Sequence, residues 1–153
     1  MTGPADDLEA IRLTLATYNV FGDRGQLAKL AAAFAPDGVL ETSTSKMEGR
    51  DEIAAGLGGG PPDPSAAREP PRRSFVRHNQ TTQLLELTGP DTAEGRTQFV
   101  VYTDVGQDHM GTYVDRFRKV DGQWLIQHRR VFIEWMHPET TSGNRGHPTQ
   151  LAP

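Results

Sequence analysis

From Phe75 to Trp135 the chain reads as four long β segments, 75–87, 92–105, 110–120 and 123–135, joined by short turns at Gly89-Pro90-Asp91, Gly106-Gln107-Asp108 and Asp121-Gly122. Connectors of two to four residues leave no length for a crossover, so these segments must pair as antiparallel neighbours. Asp-Gly is the firmest of the three turn signals, because both residues tolerate the positive φ of a tight hairpin. Such a meander buries one face and needs something to cover it.

The N-terminal half supplies the cover. Asp6 or Asp7 caps a helix whose apolar positions Leu8, Ile11, Leu15 and Tyr18 recur at intervals of three and four, the stripe of an amphipathic helix. Gly22 and Gly25 punctuate its end, and Asp23 falls on the flank of the stripe, one turn beyond Asn19. A second helix is predicted over 27–34 and ends at Pro36-Asp37-Gly38, followed by a strand over 39–42 and a short helix over 49–57 closed by Gly58 to Gly60. Residues 58–74 are rich in Pro and Gly and lack apolar periodicity, so they read as a mobile loop, either a lid or a surface excursion. Helices first and strands afterwards define an α+β domain over residues 6–136, a curved antiparallel sheet wrapped around N-terminal helices. Residues 1–5 are expected to be disordered, and 137–153 to form a loose tail or one that closes over a neighbour.

Composition narrows the chemistry. At 153 residues one domain buries about two-thirds of its unfolded surface and needs no staple. No cysteine is present, which removes disulfides, thiol nucleophiles and thiolate metal sites together. A net charge of −4 gives no general attraction to nucleic acid or anionic lipid. Arg72, Arg73 and Arg77 form a basic run without interleaved aromatics, the pattern of a solvated loop flank. The first residues lack the basic and apolar regions of a secretory signal and no segment has the length of a membrane span, so a cytoplasmic location is expected.

The strand 75–87 carries hydroxyl and amide side chains where a core strand is usually apolar, and His78 sits among them. Alternation puts His78 on one face with Val76, Gln80, Thr82 and Leu84, the mixture that lines ligand pockets. A lone strand histidine is commonly structural; a carboxylate partner changes its chemistry, and Asp23 is the candidate. A carboxylate on Nδ1 fixes the tautomer, leaves Nε2 as a base and stabilises the imidazolium formed when a proton is taken. His109, His128, His137 and His147 lie scattered among a turn, a strand and the tail without metal-ligand spacing, so no metal is expected. Hydrolase and nucleotide motifs are absent, and Asp6-Asp7 and Asp51-Glu52 are explained as helix starts. Of Arg129 and Arg130, adjacent in the last strand, one must face inward and find an acceptor: a structural carboxylate such as Asp115, or an anionic intermediate. Tyr18, Tyr102 and Tyr113 are hydroxyl donors by type and core aromatics by default.

Taken in order, Tyr18 with Asp23, 30–39, Gly49 to Ile53, Arg77-His78, 111–117, and 121–126 followed by Arg129 resemble the SnoaL-like branch of the NTF2-like superfamily, over about residues 6–136. The resemblance implies a cone-shaped, cystatin-like α+β barrel. Among its members the chain looks most like scytalone dehydratase, hexachlorocyclohexane dehydrochlorinase and the bile acid dehydratases, which are cofactor-free lyases using an Asp-His dyad. Asp23 and His78 stand at the dyad positions, Arg129 where the dehydrochlorinase has an arginine that assists the leaving group, and Tyr18 where the bile acid enzyme has a helix tyrosine. Scytalone dehydratase carries a further pocket histidine on the strand after the dyad histidine; here that strand's corresponding face is read as Gln98, Val100 and Tyr102. Glu41 stands only adjacent to the position of an isomerase's aspartate base, and the Arg-x-Asp pair of the epoxide hydrolases is missing.

The expectation is therefore a cofactor-independent lyase, of dehydratase type, acting on a small cyclic or polycyclic apolar substrate. His78 is the base, Asp23 orients it, and Tyr18, Tyr113 and Arg129 bind substrate. The alternatives are a non-catalytic ligand-binding or assembly module and an isomerase or cyclase of the same superfamily. Phe99, Val101, Val131 and Ile133 are read as too many apolar residues for one pocket, so self-association as a homodimer or homotrimer is expected.

Overall fold

The computed structural model describes residues 3–58 and 74–140. The predicted loop over 58–74 and the tail beyond Thr140 fall almost wholly outside them. Helix α1 (Pro4–Asp23) and the short α2 (Leu27–Ala31) lead into β1 (Phe34–Glu41), β2 (Lys46–Glu48) and α3 (Arg50–Leu57). Then come β3 (Arg77–Leu87), β4 (Thr92–Thr103), β5 (Gly106–Val120) and β6 (Gln123–Met136). The six strands form one sheet in the order β2-β1-β6-β5-β4-β3.

The fold class is α+β, as expected, with a curved sheet that is mixed and open rather than wholly antiparallel and closed. The mixed character comes from β1, which runs parallel to β6. The predicted second helix is shorter than expected because Phe34 to Gly38 are already strand, and the register between β1 and β6 shifts over Phe34/Val39. Pro36 and Gly38 fit a strand that is interrupted there, since neither supports a continuous ladder. Pro4 opens α1, with Gly3 as its cap and Asp6 bonding back to the Gly3 N–H at 2.8 Å. Pro4 and Ala5 thus belong to the helix and Gly3 caps it, rather than forming a disordered end, and Asp6 and Asp7 lie in its first turn instead of at the cap position.

Ile11, Leu15, Tyr18 and Asn19 form the buried stripe of α1. The helix is tied to the inner face of the sheet at three levels. Near its start, Asp7 accepts from Trp124 Nε1 at 2.8 Å and pairs with Lys119 Nζ at 2.8 Å, and Thr14 Oγ1 donates to the Trp124 carbonyl at 2.6 Å. In the middle, Gln80 Nε2 donates to the Leu15 carbonyl at 2.9 Å. At the last residue, Asp23 meets β3. Amphipathicity says only that one side of α1 is covered; these polar ties fix its direction across the sheet, from the β5-β6 hairpin to the β3 edge.

Asp121 and Gly122 take φ of 50° and 80°, the turn their sequence predicts. The β4-β5 hairpin turns earlier than expected, at Asp104 and Val105, so Gly106 to His109 belong to β5. On the core side lie Phe34, Leu40, Ile53, Phe99, Val101, Tyr113, Phe117 and Ile126. Phe99 and Val101 are buried there and Val131 and Ile133 pack against the same cluster, so the four do share one side. The exposed apolar residues of the sheet are instead Leu84, Tyr102, Met110 and Trp135.

At Gly111 the backbone of β6 leaves no room for a side chain on β5. A Cβ at this position would collide with the Phe132 carbonyl oxygen and lie 2.9 Å from its carbonyl carbon. Backbone cannot yield as a flexible side chain does, so Gly111→Ala is expected to destabilise the protein by about 3 kcal/mol, measured by urea unfolding. A loss below about 0.5 kcal/mol would show that the two strands are not held this tightly.

Candidate active site

Asp23 is the last residue of α1, where the helix dipole is unfavourable to a negative charge. Donors from β3 offset that. The His78 backbone N–H reaches the two carboxylate oxygens at 3.2 and 3.1 Å, and His78 Nδ1 lies 2.6 Å from Oδ1. Arg77 Nη1 stands 4.0 Å away on an exposed side chain and adds little. The Asp23 side chain is 9% exposed and that of His78 26%. A carboxylate accepts, so Nδ1 is the donor and carries the proton; Nε2 makes no hydrogen bond among the described residues.

The neighbours of His78 differ from those read by simple alternation. Between Gln80 and Gln83 the pairing of β3 with β4 slips by one residue, so Gln83, Leu85 and Leu87 turn inward while Thr82 and Leu84 turn out. Leu84 is 68% exposed as a result. The same check on β4 places Thr97, Phe99 and Val101 inward, with Gln98 and Tyr102 outward and Val100 only half-buried. No histidine lies on the inward face of that strand.

Arg129 is the inward member of the arginine pair and is fully buried. Its Nε and Nη2 donate to the two oxygens of Asp115 at 2.8 and 2.7 Å, a bidentate pair inside the domain. The guanidinium packs against two rings that meet each other edge to face, 4.3 Å from the centroid of Tyr18 and 4.0 Å from that of Tyr113. Its charge is permanent: burial lowers its proton affinity, and the charge and hydrogen bonds of Asp115, together with Tyr18 and Tyr113, more than offset that. Either partner alone would be an uncompensated buried charge costing about 3–5 kcal/mol. Arg129 is thus a structural ion pair first, as the Asp115 option requires. One nitrogen, Nη1, remains buried without a hydrogen bond, and Asn19 Oδ1 and Thr97 Oγ1 are in the same condition. Unsatisfied buried polar atoms are unusual in folded proteins.

Tyr18 and Tyr113 meet edge to face at 5.9 Å, and Tyr113 stacks on Phe99 at 4.2 Å. Phe99 contacts the ring of His109 at 6.1 Å, which contacts that of His78 at 6.4 Å. The structure therefore joins all five predicted site residues in one continuous cluster. Asp23 and His78 are in direct contact; Tyr18, Tyr113 and Arg129 form a separate stack beside them. His109 and Asp108 were missed because Gly106-Gln107-Asp108 reads as a turn. The consecutive Asp-His at a strand start is the only trace they leave in the sequence.

Two cavities lie away from this cluster. One of about 640 Å³ opens on the outer face of the sheet, between Glu41, Glu86, Arg96, Arg116, His128 and Arg130. There His128 accepts from Arg116 on Nδ1 at 3.0 Å and donates from Nε2 to Glu41 at 2.9 Å, the opposite tautomer to His78. The other, about 370 Å³, lies between α1 and the Gly122 to Leu125 segment.

The SnoaL-like domain model matches residues 4–130, and the chain belongs to that family. No curated protein matches it. Among solved structures it is similar to a protein of unknown function from Mycobacterium tuberculosis, 26% identical over 93% of this chain and 82% of that one, with a TM-score of 0.70. It is similar to a protein assigned as a scytalone dehydratase from Novosphingobium aromaticivorans, at 19% identity, 85% coverage of each chain and a TM-score of 0.67. An NTF2-like protein with a cystatin-like fold from the same organism is 22% identical over 83% of this chain and 81% of that one, at a TM-score of 0.68. The fold is accordingly the cystatin-like, NTF2-like one. No helix among the described residues is long and apolar enough to cross a membrane.

Burial raises the phenol of Tyr18 above its ordinary 10.0, against the opposing charge of Arg129. It raises Tyr113 well above, reinforced by Tyr18 and by the Asp115 and Asp23 carboxylates, with Arg129 again opposing. A raised phenol keeps its proton in the native state while the unfolded chain loses it. Its contribution is complete below 10.0 and is lost as pH climbs toward the raised value. Wild-type stability should fall between about pH 9 and pH 11, and Tyr113→Phe should fall less over that window in urea unfolding. An equal fall in both would contradict a buried phenol at Tyr113.

Proposed function

We propose that this protein is a cofactor-independent lyase that removes water or halide from a small cyclic, largely apolar molecule. The observation that carries the reading is the contact of Asp23 with both N–H groups of His78, which leaves Nε2 without a hydrogen-bond partner among the described residues. Nε2 takes a proton from the carbon next to an electron-withdrawing group, the C–H electron pair becomes a C=C bond, and the leaving group departs from the neighbouring carbon. Asp23 holds the ring and stabilises the imidazolium. Tyr18, Tyr113 and Phe99 provide aromatic surface for a ring substrate, and Arg129 Nη1, Asn19 Oδ1 and Thr97 Oγ1 are buried polar atoms available to its substituents. The resemblance to scytalone dehydratase and the neighbour assigned that activity support elimination as the reaction class.

A second reading is a non-catalytic module for ligand binding or assembly, and the groove of about 640 Å³ on the outer sheet face favours it. Self-association through that face, as a dimer or trimer, belongs to either reading. Elimination from a panel of cyclic β-hydroxy ketones, followed by the absorbance of the enone product, separates them. His78→Gln and Asp23→Asn are expected to lower kcat by at least about 100-fold while urea unfolding shows an intact fold. Full turnover in both variants, or none in the wild type, would support the module instead.

A further inference from the structure

A second carboxylate-imidazole pair lies beside the first. Across β4 and β5, Val101 faces His109 while Tyr102 faces Gln107, so Asp108 is an extra residue bulged out of the ladder. A bulge re-aims side chains that strict alternation would send to opposite faces, and the consecutive Asp108 and His109 are both buried, at 0% and 8% exposure. His109 Nδ1 lies 2.7 Å from Asp108 Oδ1. The carboxylate is fixed further by Thr103 Oγ1, donating to Oδ2 at 2.9 Å, and Thr140 Oγ1, donating to Oδ1 at 2.6 Å. The His137 N–H on the Asp108 carbonyl at 2.7 Å anchors the segment that delivers Thr140.

This pair adjoins the site. His78 on β3 faces Val101 on β4, and Val101 faces His109 on β5, so the two imidazoles stand in one row with a small side chain between them. Their rings meet edge to face at 6.4 Å, and His109 also touches Phe99, the ring stacked on Tyr113. A bulged, fully buried aspartate serving only the core would be a costly way to hold one histidine. As the orienter of an imidazole beside a proton-abstracting base, its cost has a function.

We propose that Asp108 and His109 form the acid arm of the site: His109 protonates the departing hydroxyl while His78 takes the carbon-bound proton. The inference rests on the elimination reading above and adds to it a donor that the single Asp23-His78 contact does not provide. The C–H bond breaks toward His78 Nε2 and its electron pair forms the C=C bond. The C–O bond breaks with its pair on oxygen, which takes the proton from His109 Nε2 and leaves as water. His78 ends as imidazolium and His109 neutral, and exchange of one proton between the two rings or through water restores both. Hydroxide is a poor leaving group and needs this proton; chloride does not. Asp108 is a positioning residue, acting through His109.

The leaving group therefore supplies the test. β-Hydroxycyclohexanone and β-chlorocyclohexanone give the same enone, and both are assayed with the full chain. His109→Gln is expected to lower turnover of the hydroxy ketone at least about 100-fold and that of the chloro ketone less than about tenfold. His109→Ala is the second variant, and added free imidazole should restore the hydroxy reaction in it. Equal losses on both ketones with no rescue would reduce His109 to a structural residue, and no loss on either would remove it from the reaction; in both cases His78→Gln still suppresses both substrates and the elimination reading stands. Retained turnover in His78→Gln, or a wild type inert toward both ketones, would overturn the elimination reading and this assignment with it.

Discussion

A carboxylate on the last turn of a helix faces the negative end of the peptide dipoles, and Asp23 occupies that position without a basic residue in the turn before it. What offsets the repulsion comes from another element 55 residues away in sequence: the backbone N–H and the ring N–H of His78. Because a backbone donor takes part, the contact fixes the β3 chain itself as well as one rotamer. The edge strand of the sheet and the C-terminus of α1 are thereby held at hydrogen-bonding distance, and the aromatic stack between them is given its depth. Removal of that contact would leave α1 pinned at Trp124 and Gln80 and unanchored where the chemistry is expected.

The interior is divided between two electrostatic arrangements. Arg129 and Asp115 are buried and neutralise each other's charge, with the rings of Tyr18 and Tyr113 both packed against the guanidinium. Such a pair is fixed, and its value is positional. Asp23 with His78 and Asp108 with His109 are carboxylate-imidazole pairs, an arrangement that can take up a proton without creating an isolated charge. The first arrangement builds the wall on which the second is mounted. A single face of the sheet serves both because β3 and β5 each carry an irregularity, which turns Gln83 inward in one and sets Asp108 beside His109 in the other.

Those irregularities also decide what was legible in the sequence. Helix α1, the four long strands and the Asp121-Gly122 turn follow from periodicity and turn chemistry, which are local. Asp23 and His78 were legible as residue types with a use for each other, the polar composition of 75–87 drawing attention to the strand that carries the histidine. The face shared by His78 was wrong beyond Gln80, since a bulge reverses alternation and leaves no compositional mark. Asp108 and His109 were lost to a turn prediction because Gly106 draws the hairpin toward itself, while the chain turns two residues earlier at Asp104 and Val105. The parallel pairing of β1 with β6 was invisible for a related reason: it joins segments nearly ninety residues apart, Leu40 to Arg129, and no connector length announces it.

The central claim is that Asp23 holds the proton of His78 on Nδ1 and so presents Nε2 as a lone pair. Nitrogen-15 NMR of the histidine side chains in the intact protein reads this directly, with Asp23→Asn identifying the His78 signals. The account predicts a protonated Nδ1 and an unprotonated Nε2 for neutral His78 in the wild type, with that preference lost in the variant. A wild-type His78 protonated on Nε2, or averaging between tautomers as a free imidazole does, would contradict it.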